Sequence, residues 1–256
     1  MKRPLILITN DDGIEARGIH SLVDAVRHLG DIVVVAPDGP RSAQSSAITV
    51  NTHLRFWKHL EKDGLKMYRC NGTPCDCVKL ALYTILDRQP DLILAGINHG
   101  TNAAINVLYS GTMGAVFEGC TEGIPAIGFS LDSHDPRADF SEAVKYAVII
   151  TQKVLAEGLP KDICLNVNIP LGQNLKGMRV CRQCYGRWNE RFVCRQDPGG
   201  NNYYWLTGEF LNLEPEATDT DQYAMEHGYV AIVPCQVDFT HYPTMQQLAH
   251  WNEETK

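Results

Sequence analysis

Leu5-Ile6-Leu7-Ile8-Thr9-Asn10-Asp11-Asp12-Gly13 is the stretch that decides the fold. Its aliphatic run has no polar alternation, the pattern of a strand buried on both faces of a parallel sheet. It stops abruptly in an amide, two acids and a glycine. In open α/β sheets the ligand lies beyond the carboxyl ends of the strands. The two carboxylates therefore stand where such a fold does its chemistry. Adjacent acids repel unless a cation or a proton lies between them. Oxygen donors on a strand tip suit a hard ion, Mg²⁺ or Mn²⁺. The other reading of the same residues is a polar turn that caps the next helix.

Working outward, Ile19, Leu22, Val23, Val26 and Leu29 recur at helical spacing and Gly30 makes a stop. Residues 31–37 repeat the buried-strand pattern and complete a βαβ unit. A small polar loop, residues 38–46, follows and contains Ser42. Strands are expected over residues 47–57 and 65–70, around a turn at Lys62-Asp63-Gly64. Thr73, Pro74 and Asp76 have the spacing of a capping box, so Asp76 is read as structural. A third buried strand over residues 91–96 leads into Asn98, His99 and Asn102, and Ser110-Gly111-Thr112 opens a further helix. Residues 125–130 and 163–169 read as strands, with a helix between them through Phe140, Val144, Ala147 and Val154.

Beyond residue 170 helical periodicity fades and aromatic, β-like runs appear, with a last helix expected over Thr244–Trp251. The expected fold is therefore α/β: a Rossmann-like, mostly parallel sheet flanked by helices, with a β-rich C-terminal part and an extended arm. Residues 1–170 would form the core that carries the site, and residues 171–256 the extension and oligomerisation arm.

The 256 residues are 44% hydrophobic and carry a net charge of −7, which speaks against a basic surface for polymeric nucleic acid. No run approaches membrane-spanning length. Met1-Lys2-Arg3 precedes too few apolar residues for a secretory leader. The nine cysteines are an odd number in apolar contexts, as for reduced thiols in a cytoplasm. Cys181 and Cys184 form one C-x-x-C with no second pair at zinc-ribbon spacing.

Three strand-to-loop junctions thus bring complementary groups: Asp11 and Asp12; Ser42; and Asn98, Asn102 and Ser110-Gly111-Thr112. Carboxylates, a hydroxyl and an amide carbonyl make an all-oxygen set for a hard cation. A Ser-Gly-Thr helix start presents N–H groups to a phosphate. Metal beside an anion cradle suggests phosphate-ester chemistry.

Several of these residues resemble the survival protein E (SurE) family of nucleotidases. They are Thr9-Asn10-Asp11-Asp12-Gly13, Ala36-Pro37-Asp38 with Arg41-Ser42-Ala43, and Gly72-Thr73-Pro74-Cys75-Asp76. Gly96-Ile97-Asn98 with Asn102, Tyr109-Ser110-Gly111-Thr112, Asn166-Val167-Asn168-Ile169-Pro170 and Val237-Asp238-Phe239-Thr240 continue the likeness through nearly the whole chain. The resemblance implies a metal-dependent phosphatase that hydrolyses nucleoside 5′- and 3′-monophosphates by a metal-activated water, with short polyphosphate as a side substrate. It implies one divalent ion per subunit, Mg²⁺ or Mn²⁺, on Asp11, Asp12, Ser42 and Asn98. It assigns phosphate binding to Asn102, Ser110, Gly111 and Thr112, and implies a homodimer or homotetramer that exchanges C-terminal arms. Asp11 is the expected group to orient or deprotonate the water, with Asn98 beside it.

His99 is read as a histidine contacting backbone or water, with general-acid duty as the alternative. Tyr203, Tyr204 and Trp205 are read as core or interface residues, with base stacking as the alternative. A reading from another class is a metal-dependent nucleotide or phosphate sensor without turnover.

Overall fold

The chain threads one long sheet through its core. The structure, a computed structural model, describes residues 3–252. In chain order it runs β1 (Leu5–Thr9), α1 (Arg17–Val26), β2 (Asp31–Pro37), β3 (Phe56–Lys62), β4 (Leu65–Cys70) and α2 (Pro74–Leu80), which continues as a π-helical turn (Ala81–Ile85). Next come β5 (Leu92–His99), a 3₁₀ segment (Ala104–Leu108), α3 (Gly111–Thr121), β6 (Ala126–Leu131), α4 (Ser141–Glu157) and β7 (Ile163–Ile169). The C-terminal part holds β8 (Met178–Val180), β9 (Gly186–Gln196), β10 (Asn202–Asn212), α5 (Asp221–Glu226), β11 (Val230–Gln236) and α6 (Tyr242–Gln247).

Nine strands form one sheet in the order β3-β4-β2-β1-β5-β6-β7-β11-β8. The strands from β4 through β7 in that order are parallel, while β3 and β11 run antiparallel to β4 and β7. The first strand is central: Ile8 pairs with Val34 on one side and Leu94 on the other. Its side chains alternate between two cores. Ile6 and Ile8 join Ile19, Leu22 and Phe129 under α1 and α4, whereas Leu7 joins Val35, Ile93, Met113 and Val116 under α2 and α3. Each such aliphatic side chain contributes roughly 1.5–3 kcal/mol on burial. That is why an unalternating apolar run marked the strand.

Close approach of α1 to the end of β5 depends on Gly18. A Cβ there would lie 1.9 Å from the Ile97 carbonyl oxygen. A larger residue would push the helix off the strand that carries Asn98.

Three boundaries differ from expectation. Residues 47–55 lie outside any strand, because their polar groups are used elsewhere. Thr49 donates both its backbone N–H (2.9 Å) and its hydroxyl (2.6 Å) to the Asp76 carboxylate. The third buried strand runs on past Gly96 to His99, so Asn98 projects from the strand itself. The last helix starts two residues early, at Tyr242, and gives way to a 3₁₀ turn at Leu248–Trp251.

The C-terminal part is used in two ways. β8 and β11 extend the main sheet, and Val230, Ala231 and Val233 are buried there. β9 and β10 pair only with each other, and Phe192, Tyr203, Tyr204 and Trp205 stay exposed on them. None of Tyr203, Tyr204 and Trp205 packs in the core, so the core reading of that triplet does not hold. No helix among the described residues is long and apolar enough to cross a membrane. All nine cysteines are free thiols, and burial pushes Cys181 and Cys184 up to about 11, away from the thiolate a metal would need.

The capping box is realised and extended. Thr73 Oγ1 accepts the Asp76 N–H (3.1 Å), and Asp76 Oδ2 accepts the Thr73 N–H (2.9 Å). With the two Thr49 bonds, the buried Asp76 fastens the 47–55 loop to α2. Asp76→Ala should therefore cost about 2–4 kcal/mol, since it strands buried donors as well as a cap. Urea denaturation measures the loss, and limited proteolysis should cut first within residues 47–55. Wild-type stability in this variant would refute the strap.

Candidate active site

Asp11 closes the end of β1 and is buried, only 5% exposed. Thr112, in the first turn of α3, donates its hydroxyl to Asp11 Oδ1 at 2.6 Å. The Asp11 carbonyl accepts the Arg41 N–H at 2.7 Å. One residue thereby ties three junctions together. Burial pushes the Asp11 carboxyl up to about 6, against the Thr112 hydrogen bond and aided by the charge of Asp12. Asp12 is half-buried. Burial also raises its carboxyl, while the His99 N–H, donated to Oδ2 at 3.2 Å, pulls the other way.

The Ser42 loop is pinned on both sides of the serine. Arg41 bonds the Asp11 carbonyl, and Ser45 donates its N–H to Tyr109 O (3.1 Å) and its hydroxyl to Leu108 O (2.7 Å). Ser42 itself is exposed between these anchors. Asn98 is buried and donates its amide to Gly100 O at 2.8 Å, which leaves its Oδ1 as a donor atom for a cation.

Ser110 caps α3, its Oγ accepting the Met113 N–H at 3.0 Å. Gly111 then begins the helix against the acid: a Cβ there would lie 2.9 Å from Asp11 Cβ and 3.1 Å from Asp11 Oδ2. The turn read as a phosphate cradle therefore also seats Asp11, and the Thr112 hydroxyl is spent on the carboxylate. Gly111 and Ser110 remain beside it at the helix start.

Asn102 is held on every side. Its amide donates to Ser130 Oγ (2.7 Å), its N–H to Asn168 Oδ1 (2.7 Å), and its carbonyl accepts from Asn166 Nδ2 (2.9 Å). Asn168 in turn donates to Asn166 Oδ1 at 2.9 Å. Ser130, Asn166 and Asn168 join the site region only through these bonds. Their mark in the sequence was two asparagines at strand spacing inside an otherwise buried strand. His99 meets Asp12 through its backbone, and its ring stands edge-on to Phe140 at 5.0 Å.

The residues fit a divalent cation. Among the described residues neither acid pairs with a Lys or Arg, and no three His, Cys, Asp or Glu side chains gather to hold a metal. An ion here would have two carboxylates and otherwise neutral oxygens, from Asn98 and Ser42. Asn10 Oδ1 is a further buried oxygen without a hydrogen-bond partner. Two carboxylates without a Lys or Arg partner, beside the Asn98 and Ser42 oxygens, suit a hard ion; the His99 and His134 rings lie near Asp12 and draw its carboxyl down.

Comparison with known proteins gives one consistent result. Residues 6–190 match the family described as Survival protein SurE. A protein of Phocaeicola vulgatus, 5′-nucleotidase SurE, is 52% identical over 99% of this chain and 98% of its own. A 5′-nucleotidase SurE of Flavobacterium psychrophilum is 49% identical over 98% of this chain and 99% of its own. The crystal structure of the SurE protein from Aquifex aeolicus superposes with a TM-score of 0.84 at 37% identity, over 98% of this chain and 100% of that one.

The raised Asp11 carboxyl has a thermodynamic consequence. An acid whose folded pKa exceeds its unfolded value binds more protons when folded. Its stability contribution is therefore full below about 3.8 and lost as pH rises through about 6. Above that range, ionised Asp11 burdens the metal-free protein. Asp11→Asn should thus stabilise the metal-free protein at pH 8 by about 1–3 kcal/mol, and the gain should vanish near pH 4. Thermal melts in chelator at the two pH values test this. A variant no more stable than wild type at pH 8 would contradict it.

Proposed function

The chain belongs to the survival protein SurE family, and on that footing we propose that it is a 5′-nucleotidase, a hydrolase of nucleoside monophosphates. The observation that carries the reading is the seating of Asp11 against Gly111 and Thr112 at the start of α3, with Asp12 held next to it by the N–H of His99, the neighbour of Asn98. Asp11, Asp12, Asn98 and Ser42 would hold one divalent ion, Mg²⁺ or Mn²⁺. Such an ion, when bound, polarises phosphoryl oxygens and lowers the pKa of the attacking water.

The chain's own groups supply the rest. Asp11, its carboxylate anchored by Thr112, is the group to orient or deprotonate the water. Gly111 lets the phosphoryl group approach the backbone at the helix start, where N–H groups favour developing negative charge. Ser110 caps the same helix, and Asn102, held by Ser130, Asn166 and Asn168, would contribute to phosphate binding from a rigid support. His99 keeps the backbone role that fixes Asp12. Because these groups grip the phosphoryl end, 3′-monophosphates and short polyphosphate belong among the substrates. A sensor without turnover would need the same grip but no water-orienting acid, and Asp11 favours turnover. We further propose a homodimer or homotetramer with exchanged C-terminal arms, supported by the self-paired β9–β10 hairpin and its exposed aromatics.

With a nucleoside 5′-monophosphate and Mn²⁺ or Mg²⁺, turnover should be lost in excess chelator and return with the metal. Asp12→Asn and Asp11→Asn should lower kcat/KM by roughly 100-fold or more with the fold intact. Near-normal rates in either variant would exclude the assigned site. Gly111→Val should damage phosphate inhibition and turnover together, since its side chain meets Asp11 as well as the anion. Light scattering at micromolar concentration should give a mass of two or four chains, and a monomer would remove the arm-exchange proposal.

A further inference from the structure

We propose that Asp221 is a positioning residue: it braces the loop that carries Asn102 to Ser110 and, with Trp188, ties that loop to the root of the β9–β10 hairpin. The inference rests on the reading of that loop as the phosphate-binding side of the site.

Asp221 is fully buried, at 0% exposure, yet it opens a helix of six residues that already has a cap. Thr220 Oγ1 accepts the Tyr223 N–H at 3.2 Å, so α5 needs nothing more from an acid. The carboxylate nevertheless gathers N–H groups from three separate segments. Oδ2 accepts from Ala104 at 2.7 Å, and Oδ1 from Cys184 at 2.9 Å and from Gln222 at 2.8 Å. Only the last belongs to its own helix. Burying a carboxylate is costly unless its oxygens are satisfied by directed donors. Here two of the three donors come from the site loop and from the hairpin root.

The site loop has reason to need a brace. Ala104 sits at φ 51°, a left-handed conformation that L side chains rarely adopt. Such a residue persists where its surroundings over-determine it. From beneath, Asn166 and Asn168 of β7 hold Asn102 through its carbonyl and N–H. From the side, Asp221 holds Ala104. The loop is thus clamped between a core strand and α5, two residues from Asn102 and six before Ser110.

A second link joins the same two bodies. Trp188, two residues into β9, donates its indole N–H to Asn106 Oδ1 at 2.8 Å, and Asn106 donates onward to Thr101 O at 3.4 Å. Arm and site loop therefore share two polar connections, one buried and one exposed. Movement of the hairpin root reaches residues 101–110 directly, and the acid pair only at one remove, through Thr112 and the Ser42 loop.

The test uses the full-length protein with and without Mn²⁺. Asp221→Asn keeps the shape of the side chain but cannot accept all three N–H groups. It should weaken inhibition by inorganic phosphate about tenfold, leave Mn²⁺ affinity by calorimetry within about twofold, and speed hydrogen exchange of residues 101–110 with β1 unchanged. Trp188→Phe removes one exposed donor on the hairpin, leaves the core untouched, and should move phosphate inhibition in the same direction by roughly threefold. Unchanged phosphate inhibition in folded Asp221→Asn would overturn the brace. So would an equal loss of Mn²⁺ affinity or faster exchange throughout, the signs of a merely structural acid. An inert Trp188→Phe would overturn the hairpin's share. Absence of nucleotidase turnover in the wild type would count against the proposed function instead, because exchange at residues 101–110 tests the brace without turnover.

Discussion

The hydrogen bond from the Thr112 hydroxyl to the buried Asp11 carboxylate is the constraint on which the site depends. It joins the tip of the central strand to the start of α3. The Arg41 N–H on the Asp11 carbonyl adds the Ser42 loop, and the His99 N–H on Asp12 adds the end of β5. Loops after three different strands therefore take their positions from one pair of acids. Gly111 makes the contact possible, because any side chain there would strike Asp11.

Holding two adjacent acids without a Lys or Arg partner among the described residues burdens the fold. Burial that raises the Asp11 carboxyl to about 6 is unfavourable for the ionised form near neutral pH. The apolar cores on both faces of the sheet offset it. Sites of this kind commonly trade stability for function, and a tightly bound cation returns part of the loss by binding only the folded state.

The side proposed to bind phosphate is built differently. There the polar groups are satisfied by one another: Asn102 with Ser130, Asn166 and Asn168, and Ala104 with Asp221. A fully satisfied buried network fixes geometry with little freedom. The candidate site thus pairs an electrostatically loaded half with a preorganised, fully hydrogen-bonded half. The C-terminal segment is divided between two structures, since β11 and β8 extend the sheet while the β9–β10 hairpin pairs only with itself.

Local sequence settled whatever depends on burial and on short-range chemistry. The unalternating runs at Leu5–Ile8 and Ile32–Val35 could only be strands covered on both faces, because exposing either face would forfeit the apolar burial that drives folding. The acid pair after the first run and the capping box at Thr73–Asp76 followed from spacing alone. The sequence did not reveal where long-range polar bonds would go. Residues 47–55 have strand-like composition, yet Asp76 takes Thr49's N–H and removes it from any ladder. Thr112 looked like a phosphate ligand, and the fold spends its hydroxyl on Asp11, 101 residues away. Asp221 and Ala104 lie 117 residues apart, and no periodicity announces their bond. Hydrophobic pattern is written along the chain because water acts on every residue alike. A directed hydrogen bond exists only once the sheet has brought its two partners together.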